Sequence, residues 1–521
     1  MSVNYDFLII GAGPAGVQLG YYFEKSQKDY LILERWHKPG NFFDIYPRHR
    51  MLISINKVFT GREDPEINLR WDWNSLLSDN PDLQFKNYSQ HYFPHPDDLV
   101  RYLSDFVDYY HLNIQYNTTV TKISKQDGQF IVFDQDGNSI SAQRLIVASG
   151  FTKEFEPDFP GWELCDTYSN HSVDPQKYVD QRVLIVGKGN SAFETAENLI
   201  ESAAVIHIMS PESVKMAWET HFVGNLRAVN NNFLDTYQLK SQNAVIDASI
   251  LKVQQEGEQY KVDITYSHAK GQAKKLTYDK VILCTGFRFD DSIFDENCRP
   301  GLIHKGKLPA QTPEWESINV PDMYFAGTLM QACDFKKTMS GFIHGFRYNV
   351  RALNQILDLK YHGTPLPYEA LDNTPEEVLT KTLARLNNGS GIFLQPGFLQ
   401  DVVVIEEAGA KYYKDIRRDY IPFGQLGQNE HYYTISLEYG HFSDPFSTER
   451  DPDPDKGSDS AYLHPIIRRY NYDKPVAIHH IQDDLENEWY LDEYVLPARE
   501  FFTVQLAQTL EFSRDTVIIP E

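Results

Sequence analysis

The 521-residue sequence holds only four cysteines, at positions 165, 284, 298 and 333, and no two form a C-x-x-C pair. That spacing excludes a disulfide framework, a zinc ribbon and dithiol redox chemistry. No run of about 18 apolar residues occurs, so membrane spans are absent from the expectation. Positive charge is scarce: 49 Lys and Arg stand against 73 Asp and Glu, a formal net charge of −24. Nucleic-acid binding runs on an excess of Lys and Arg, so nucleic acid is excluded as a partner. Residues 441–500 alone carry 14 acidic and 6 basic side chains, which reads as a solvated face. The apolar first nineteen residues contain Asp6 and glycines at 11, 13 and 16, a pattern that fits no signal peptide. The expected location is cytoplasmic. What is present is an ordinary globular mix, 41% hydrophobic and 23% charged, long enough for three or four domains at about 150 residues each.

Residues 5–10 form a β-rich run that feeds Gly11-Ala12-Gly13-Pro14-Ala15-Gly16, followed by a helical pattern over 17–25 and a second β-rich run, 29–33, ending at Glu34. This is the βαβ dinucleotide fingerprint in its required context. Gly11 permits the tight turn, Gly13 lets backbone approach a pyrophosphate, and Gly16 packs helix on strand. Glu34 is placed to accept hydrogen bonds from a ribose diol. The unit repeats. Residues 182–186 predict a strand, Gly187-Lys188-Gly189-Asn190-Ser191-Ala192 a turn, 193–202 a helix and 205–209 a strand ending at Ser210. A hydroxyl at 210 with Lys215 nearby suits the 2′-phosphate of NADPH better than a carboxylate would, though Ser210 also reads as an ordinary turn residue. Two dinucleotide sites imply a bound flavin, FAD, and a nicotinamide coenzyme, NADPH.

Two later segments close the first unit. The strand at 280–283 leads to Cys284-Thr285-Gly286, echoing Ala148-Ser149-Gly150 after the strand at 146–147. A strand at 323–326 ends at Gly327, and Ser340-Gly341 opens a helix to about residue 357, whose N-terminus suits negative charge on a flavin edge. The expected fold class is α/β: two Rossmann-like, three-layer dinucleotide-binding domains, the NADPH domain inserted in the FAD domain, plus a C-terminal mixed α/β cap. The boundaries read as 1–158 (FAD, first part), 159–280 (NADPH insert), 281–364 (FAD, second part) and 365–521 (cap). Short β-runs are expected in the cap at 402–405, 432–437 and 476–478.

The glycine turns together with Tyr46-Pro47-Arg48-His49-Arg50, Ser54-Ile55-Asn56-Lys57, Asp72-Trp73-Asn74-Ser75, Gly189-Asn190-Ser191-Ala192 and Gly341-Phe342-Ile343-His344-Gly345-Phe346-Arg347-Tyr348 resemble the flavin-containing monooxygenase superfamily. Within it the chain is similar to the endoplasmic-reticulum flavoprotein associated with degradation and to its bacterial relatives, among them the marine single-component brominases that convert 4-hydroxybenzoate with loss of carboxylate. The strict monooxygenase signature is only approximated, by Phe159-Pro160-Gly161 and the distant His171. The resemblance implies an FAD- and NADPH-dependent oxygenating oxidoreductase that forms a C4a-hydroperoxyflavin and acts, with O2, on a small aromatic acid. Bromination of a phenol, with bromide as co-substrate, is the favoured form. N- or ring-hydroxylation remains open, as does a flavoprotein NADPH oxidase or reductase serving a protein complex.

The same resemblance places Asn56 facing the flavin as an amide donor. Lys57 beside it is the candidate to protonate a leaving oxygen or hold a hypohalous acid, with a surface contact as the alternative. Trp218, Phe222, Phe233 and Tyr237 are candidates for a flat aromatic pocket, or for core packing. Arg48, Arg50 and Arg347 are candidates to clamp a substrate carboxylate, or to form ordinary ion pairs. His479-His480 with Asp483 has helical metal-ligand spacing but no further ligands, and no metal is expected. Oligomeric state is left open.

Overall fold

The computed structural model describes residues 4–238, 241–440, 448–451 and 453–515. The first seven-stranded sheet places the strand Asn4–Ile10 centrally, parallel to Tyr30–Leu33 on one side and to Ser139–Val147 on the other. The C-terminal halves of these strands are apolar and buried on both faces, as a parallel sheet covered by helices requires. Phe7, Leu8, Ile9, Ile32, Leu145 and Ile146 are almost wholly buried. The helices Pro14–Lys25, Pro96–Tyr110 and Ile343–His362 pack on this unit. Met323–Phe325 adds a parallel strand beside Ser139–Val147.

The second seven-stranded sheet repeats the plan. Arg182–Val186 lies between Val205–Ser210 and Lys280–Leu283, all parallel, and an antiparallel extension runs through Ala244–Glu256, Gln259–Tyr266 and Ala273–Tyr278. The chain enters and leaves this unit through a two-stranded antiparallel ladder, Lys153–Glu154 against Phe287–Arg288. The expected insertion of one dinucleotide unit within another is therefore the connectivity observed.

The C-terminal part is more regular than its scattered β-runs suggest. Six antiparallel strands, Glu369–Leu371, Gly409–Arg417, Leu399–Glu406, His431–Tyr439, Leu463–Asn471 and Lys474–His480, form one sheet. The helices Pro375–Asn388 and Asp492–Asp515 contribute to its core, where Trp489, Phe502, Tyr433 and Ile435 are fully buried. The strands are longer than the runs 402–405, 432–437 and 476–478 because pairing recruits flanking polar residues that have no apolar signal of their own. His479 and His480 lie on the edge strand, not on a helix, so the helical metal spacing does not exist. His480 Nδ1 instead lies 3.0 Å from His464 Nε2, and Asp483 binds Arg450 at 2.8 Å. Among the described residues no group of His, Cys, Asp and Glu could hold a metal, and no helix is long and apolar enough to cross a membrane.

Candidate functional site

The first glycine turn is built by close approach. Gly11 sits at φ +105°, where a Cβ would stand 2.8 Å from Ala148 O. A Cβ on Gly16 would stand 2.0 Å from Gly11 O, whereas one on Gly13 would meet nothing within 4 Å. Pro14 opens the helix Pro14–Lys25, Ala15 packs against Gly327, and the Ala12 carbonyl accepts the Gly40 N–H at 3.0 Å. The open lip at Gly13, at a helix N-terminus, is a cradle for phosphate. Glu34 is 5% exposed, and its two carboxylate oxygens accept the Ala12 N–H at 2.8 Å and the Trp36 N–H at 3.0 Å. Burial pushes its carboxyl pKa up, while lone pairs remain for a further donor. Two buried acceptors have no partner: Asn41 Oδ1, next to the Gly40 whose N–H binds Ala12 O, and Asp334 Oδ1, at the end of the Gly327–Cys333 segment whose Gly327 packs on Ala15. Asp334 is 4% exposed, and burial raises its carboxyl to about 6. An open lip at a helix N-terminus, a buried carboxylate with spare lone pairs and unpartnered acceptors could hold a dinucleotide rich in hydroxyls. Sequence reasoning passed over Asn41 and Asp334, since neither belongs to a fingerprint.

The second turn repeats the geometry. Gly187 has φ +129°, and a Cβ there would stand 2.2 Å from Cys284 O, while Gly189 faces open space. Ala192 is buried, and the Ser191 carbonyl accepts Thr195 Oγ1 at 2.8 Å. Asn190 turns its side chain away from the lip. Its Nδ2 donates to Asn225 O at 2.8 Å, and its Oδ1 accepts from Arg227 N at 2.9 Å and Asn230 Nδ2 at 3.0 Å. Ser210 ends its strand as expected, its hydroxyl donating to Glu212 O at 3.0 Å. Lys215 is exposed and lies 3.5 Å from Glu212. Between the units, Thr285 Oγ1 donates to Phe155 O at 2.7 Å, and Gly286 takes φ +85°. Ser340 Oγ accepts from Asn349 Nδ2 and Gln395 Nε2 at 2.8 and 2.9 Å, and Gly341 O accepts Thr328 Oγ1 at 3.2 Å.

The expected catalytic and substrate residues do not converge on one pocket. Asn56 is 1% exposed, but its amide Nδ2 already donates to Ser89 O at 2.7 Å and His91 O at 3.4 Å. The expected amide donor is thus occupied, and the unpartnered atom is Oδ1. Lys57 is exposed, its ammonium 5.8 Å from the Trp71 ring; it shares with Asn56, Arg62, Asp72 and Lys86 a cavity of about 70 Å³. Arg347 is fully buried and donates to Asp72 O, Ser75 O, Leu69 O and Tyr348 Oη at 2.7–3.2 Å. It staples the 69–75 segment to the helix Ile343–His362, and its guanidinium is buried with only Nε left unpartnered. Arg48 donates to the carbonyls of Tyr168, Ser169 and His171, and Arg50 to Phe43 O and Asp97. The aromatic candidates are dispersed. Phe233 is in the core against Phe193, Phe222 packs on Phe342, and Trp218 and Tyr237 are 43% and 50% exposed. Trp218 lies on the short helix Ala217–Thr220, Phe222 in the loop after it, and Phe233 and Tyr237 on the helix Phe233–Gln238, so the four do not share one element.

The residues that do converge were found by the fold. Phe342, His344, Trp73 and Arg227 stack in series, the His344 ring 5.8 Å from Phe342 and 4.2 Å from Trp73, with the Arg227 guanidinium 5.2 Å over the Trp73 ring. Arg227 Nη1 also donates to Ile53 O at 3.0 Å. A loop tied to the second glycine turn through Asn190 thus reaches the segment carrying Asn56. His344 is 1% exposed with neither ring nitrogen partnered, and burial holds its pKa well below the ordinary value. That shift favours the uncharged imidazole.

Residues 8–327 match the family model described as pyridine nucleotide-disulphide oxidoreductase. FAD-dependent oxidoreductase domain-containing protein 2 of Danio rerio is 35% identical over 94% of this chain and 81% of its own length; that of Mus musculus is 36% identical over 95% and 83%. Those likenesses extend across the C-terminal sheet, which lies outside the family model. A flavin-containing monooxygenase from Stenotrophomonas maltophilia shares the fold, with TM-score 0.53, 19% identity and coverage of 68% of this chain and 98% of that one. With two glycine turns of matching geometry and an α/β fold of Rossmann-like sheets, the chain belongs to the pyridine nucleotide-disulphide oxidoreductase family, and its cofactors are FAD and NADPH.

Proposed function

We propose that the chain is a single-component flavoenzyme that takes electrons from NADPH, passes them to O2 and acts on a small aromatic acid. The observation that carries this reading is the state of the thiols. Cys165, Cys284, Cys298 and Cys333 are all free. Burial pushes Cys165 up to about 12 and Cys333 to about 11, and raises Cys284 and Cys298 as well. A thiolate is the reactive form, so none of these cysteines is equipped for the disulfide exchange that names the family. O2 is the acceptor this reading assigns in place of a disulfide.

On this reading Gly11, Gly13, Pro14, Ala15, Gly16 and Glu34 hold FAD, with Thr285, Gly286, Gly327, Ser340 and Gly341 bordering it. Gly187, Gly189, Asn190, Ser191, Ala192, Ser210 and Lys215 hold NADPH, residues 159–280 being the coenzyme insert and 365–521 the cap. FAD reduced by NADPH supplies the electrons that activate O2, and the protein supplies position and polarity. Asn56 Oδ1 accepts a proton-bearing group at the site, and Lys57 donates from the mouth of the adjoining cavity. Neutral His344 and the Trp73–Arg227 stack keep water from the junction of the two dinucleotide units. Decarboxylative bromination of a 4-hydroxybenzoate-type phenol rests on the sequence resemblance and on Lys57; hydroxylation is the alternative outcome. The test is NADPH consumption with and without 4-hydroxybenzoate and bromide, with products read by mass spectrometry. Substrate-stimulated turnover giving a brominated or hydroxylated product supports the reading. A constant rate matched by hydrogen peroxide, with substrate unchanged, replaces it with an oxidase.

A further inference from the structure

The two glycine turns differ at the residue between their first two glycines. Gly11-Ala12-Gly13 carries alanine, whose N–H donates to Glu34, whereas Gly187-Lys188-Gly189 carries lysine, and Ser210 stands where the acid would be. The missing carboxylate is nonetheless present, one strand over. Asp247 pairs in register with Ser210 across the parallel strands Val205–Ser210 and Ala244–Glu256. The Lys188 side chain is only 5% exposed; its ammonium donates to Ser210 O at 3.3 Å and Glu212 O at 2.8 Å and forms an ion pair with Asp247. Ser213 Oγ donates to the other Asp247 oxygen at 2.6 Å. All three ammonium donors of Lys188 are thus engaged by the protein. Burial works to raise the Asp247 carboxyl pKa, but the hydrogen bonds from Lys188 and Ser213 prevail and hold it below the ordinary value.

In a dinucleotide unit the adenosine 2′-substituent is read at the end of the second strand, here at Ser210–Ser213 (residues 210–213). A bare carboxylate there accepts the 2′-hydroxyl of NADH and repels the 2′-phosphate of NADPH. We propose that Lys188 is a positioning residue that masks Asp247, and that this masking, not a direct contact of Lys188 with the phosphate, lets the site accept NADPH. The proposal rests on the reading that residues 187–192 hold the nicotinamide coenzyme.

The test is calorimetric titration of the FAD-loaded protein with 2′,5′-ADP and with 5′-AMP. Lys188→Met should weaken 2′,5′-ADP binding by about 10- to 100-fold, the range expected for an unscreened like-charge contact, and leave 5′-AMP unchanged or tighter. Adding Asp247→Asn to that variant should return 2′,5′-ADP to within a few-fold of wild type. Asp247→Asn alone should leave it unchanged or tighter. The NADPH/NADH ratio of kcat/KM should follow the same order. A double variant as weak as Lys188→Met means that the lysine touches the phosphate, and masking is wrong. Equal loss of both ligands in Lys188→Met, or loss of 2′,5′-ADP in Asp247→Asn alone, also overturns it. Wild-type protein that binds neither ligand and whose flavin neither coenzyme reduces would remove the coenzyme reading itself, a result distinct from any of these.

Discussion

The imidazole of His344 lies 4.2 Å from the indole of Trp73 with their planes 19° apart, and no hydrogen bond reaches either of its nitrogens. A buried polar group without a partner costs about 1–3 kcal/mol. His344→Phe keeps a flat ring between Phe342 and Trp73 and removes both orphaned nitrogens. The FAD-free protein should therefore melt at a higher temperature than wild type. An unchanged or lower melting temperature would show that those nitrogens are satisfied.

Gly13 and Gly16 predict opposite failures. Space is open at Gly13, so Gly13→Val should fold with normal far-UV circular dichroism yet purify without yellow colour, because the valine fills the phosphate lip. Gly16→Val drives a Cβ to 2.0 Å from Gly11 O and should not yield soluble protein. Retained flavin in folded Gly13→Val would refute the assignment of that lip.

Glu194 links the two dinucleotide units: it accepts a hydrogen bond from Tyr168, whose hydroxyl accepts the Arg48 N–H at 3.2 Å. Burial raises its carboxyl to about 7 from the ordinary 4.5. Below pH 4.5 the group is neutral folded or unfolded, and nothing is lost. As pH rises from there to about 7 the folded protein holds the proton that the unfolded chain releases, so stability falls, and the penalty stays constant above. Glu194→Gln removes that penalty. Its advantage over wild type in urea unfolding should be larger at pH 8 than at pH 5, by at most about 3 kcal/mol. Equal advantages at the two pH values would refute the raised pKa.

The C-terminal sheet is tied to the first unit by buried charge. Arg385 binds Asp401 at 2.7 Å and Asp415 at 3.0 Å; Arg351 binds Asp415 at 2.5 Å; and Glu66 accepts the Ser390 N–H at 2.9 Å. Asp401 is fully buried and also accepts Tyr412 Oη at 3.0 Å. Removing one partner strands the other's charge, so Arg385→Met should cost about 3–5 kcal/mol. Arg385→Met with Asp401→Asn should cost less than Arg385→Met alone. A double variant whose loss is the sum of the single losses would mean that the two residues act independently.

Lys57→Ala tests the halogenation reading at its one named donor. The lysine is exposed, so folding and flavin content should be unaffected. Brominated product should fall by about 10²–10³-fold, the loss of one transition-state contact, while NADPH oxidation continues and releases peroxide. Normal bromination by Lys57→Ala would remove the lysine from the chemistry.

Both dinucleotide turns were legible in residue order because their constraint is local. Gly11 and Gly187 need positive φ within a strand–turn–helix, and a fingerprint of adjacent residues carries that requirement. The insertion of one unit in the other was legible as well, from the echo of Ala148-Ser149-Gly150 in Cys284-Thr285-Gly286. The substrate residues were not. Arg347 is a basic residue in an acidic chain by sequence, and a buried staple by structure, because three backbone carbonyls 272–278 residues away in sequence converge on it.

The order of the amino acids by itself determined the strands flanking the two glycine turns, the turns themselves and the place of Glu34, since each depends on backbone conformation and on neighbours a few residues apart. Only the tertiary structure decided that Asp247 faces Ser210, that Arg227 reaches Trp73 and that the amide of Asn56 is already taken. Those relations arise from strand register and loop closure over long separations, where a side chain's partner is set by packing and carries no mark in the local sequence.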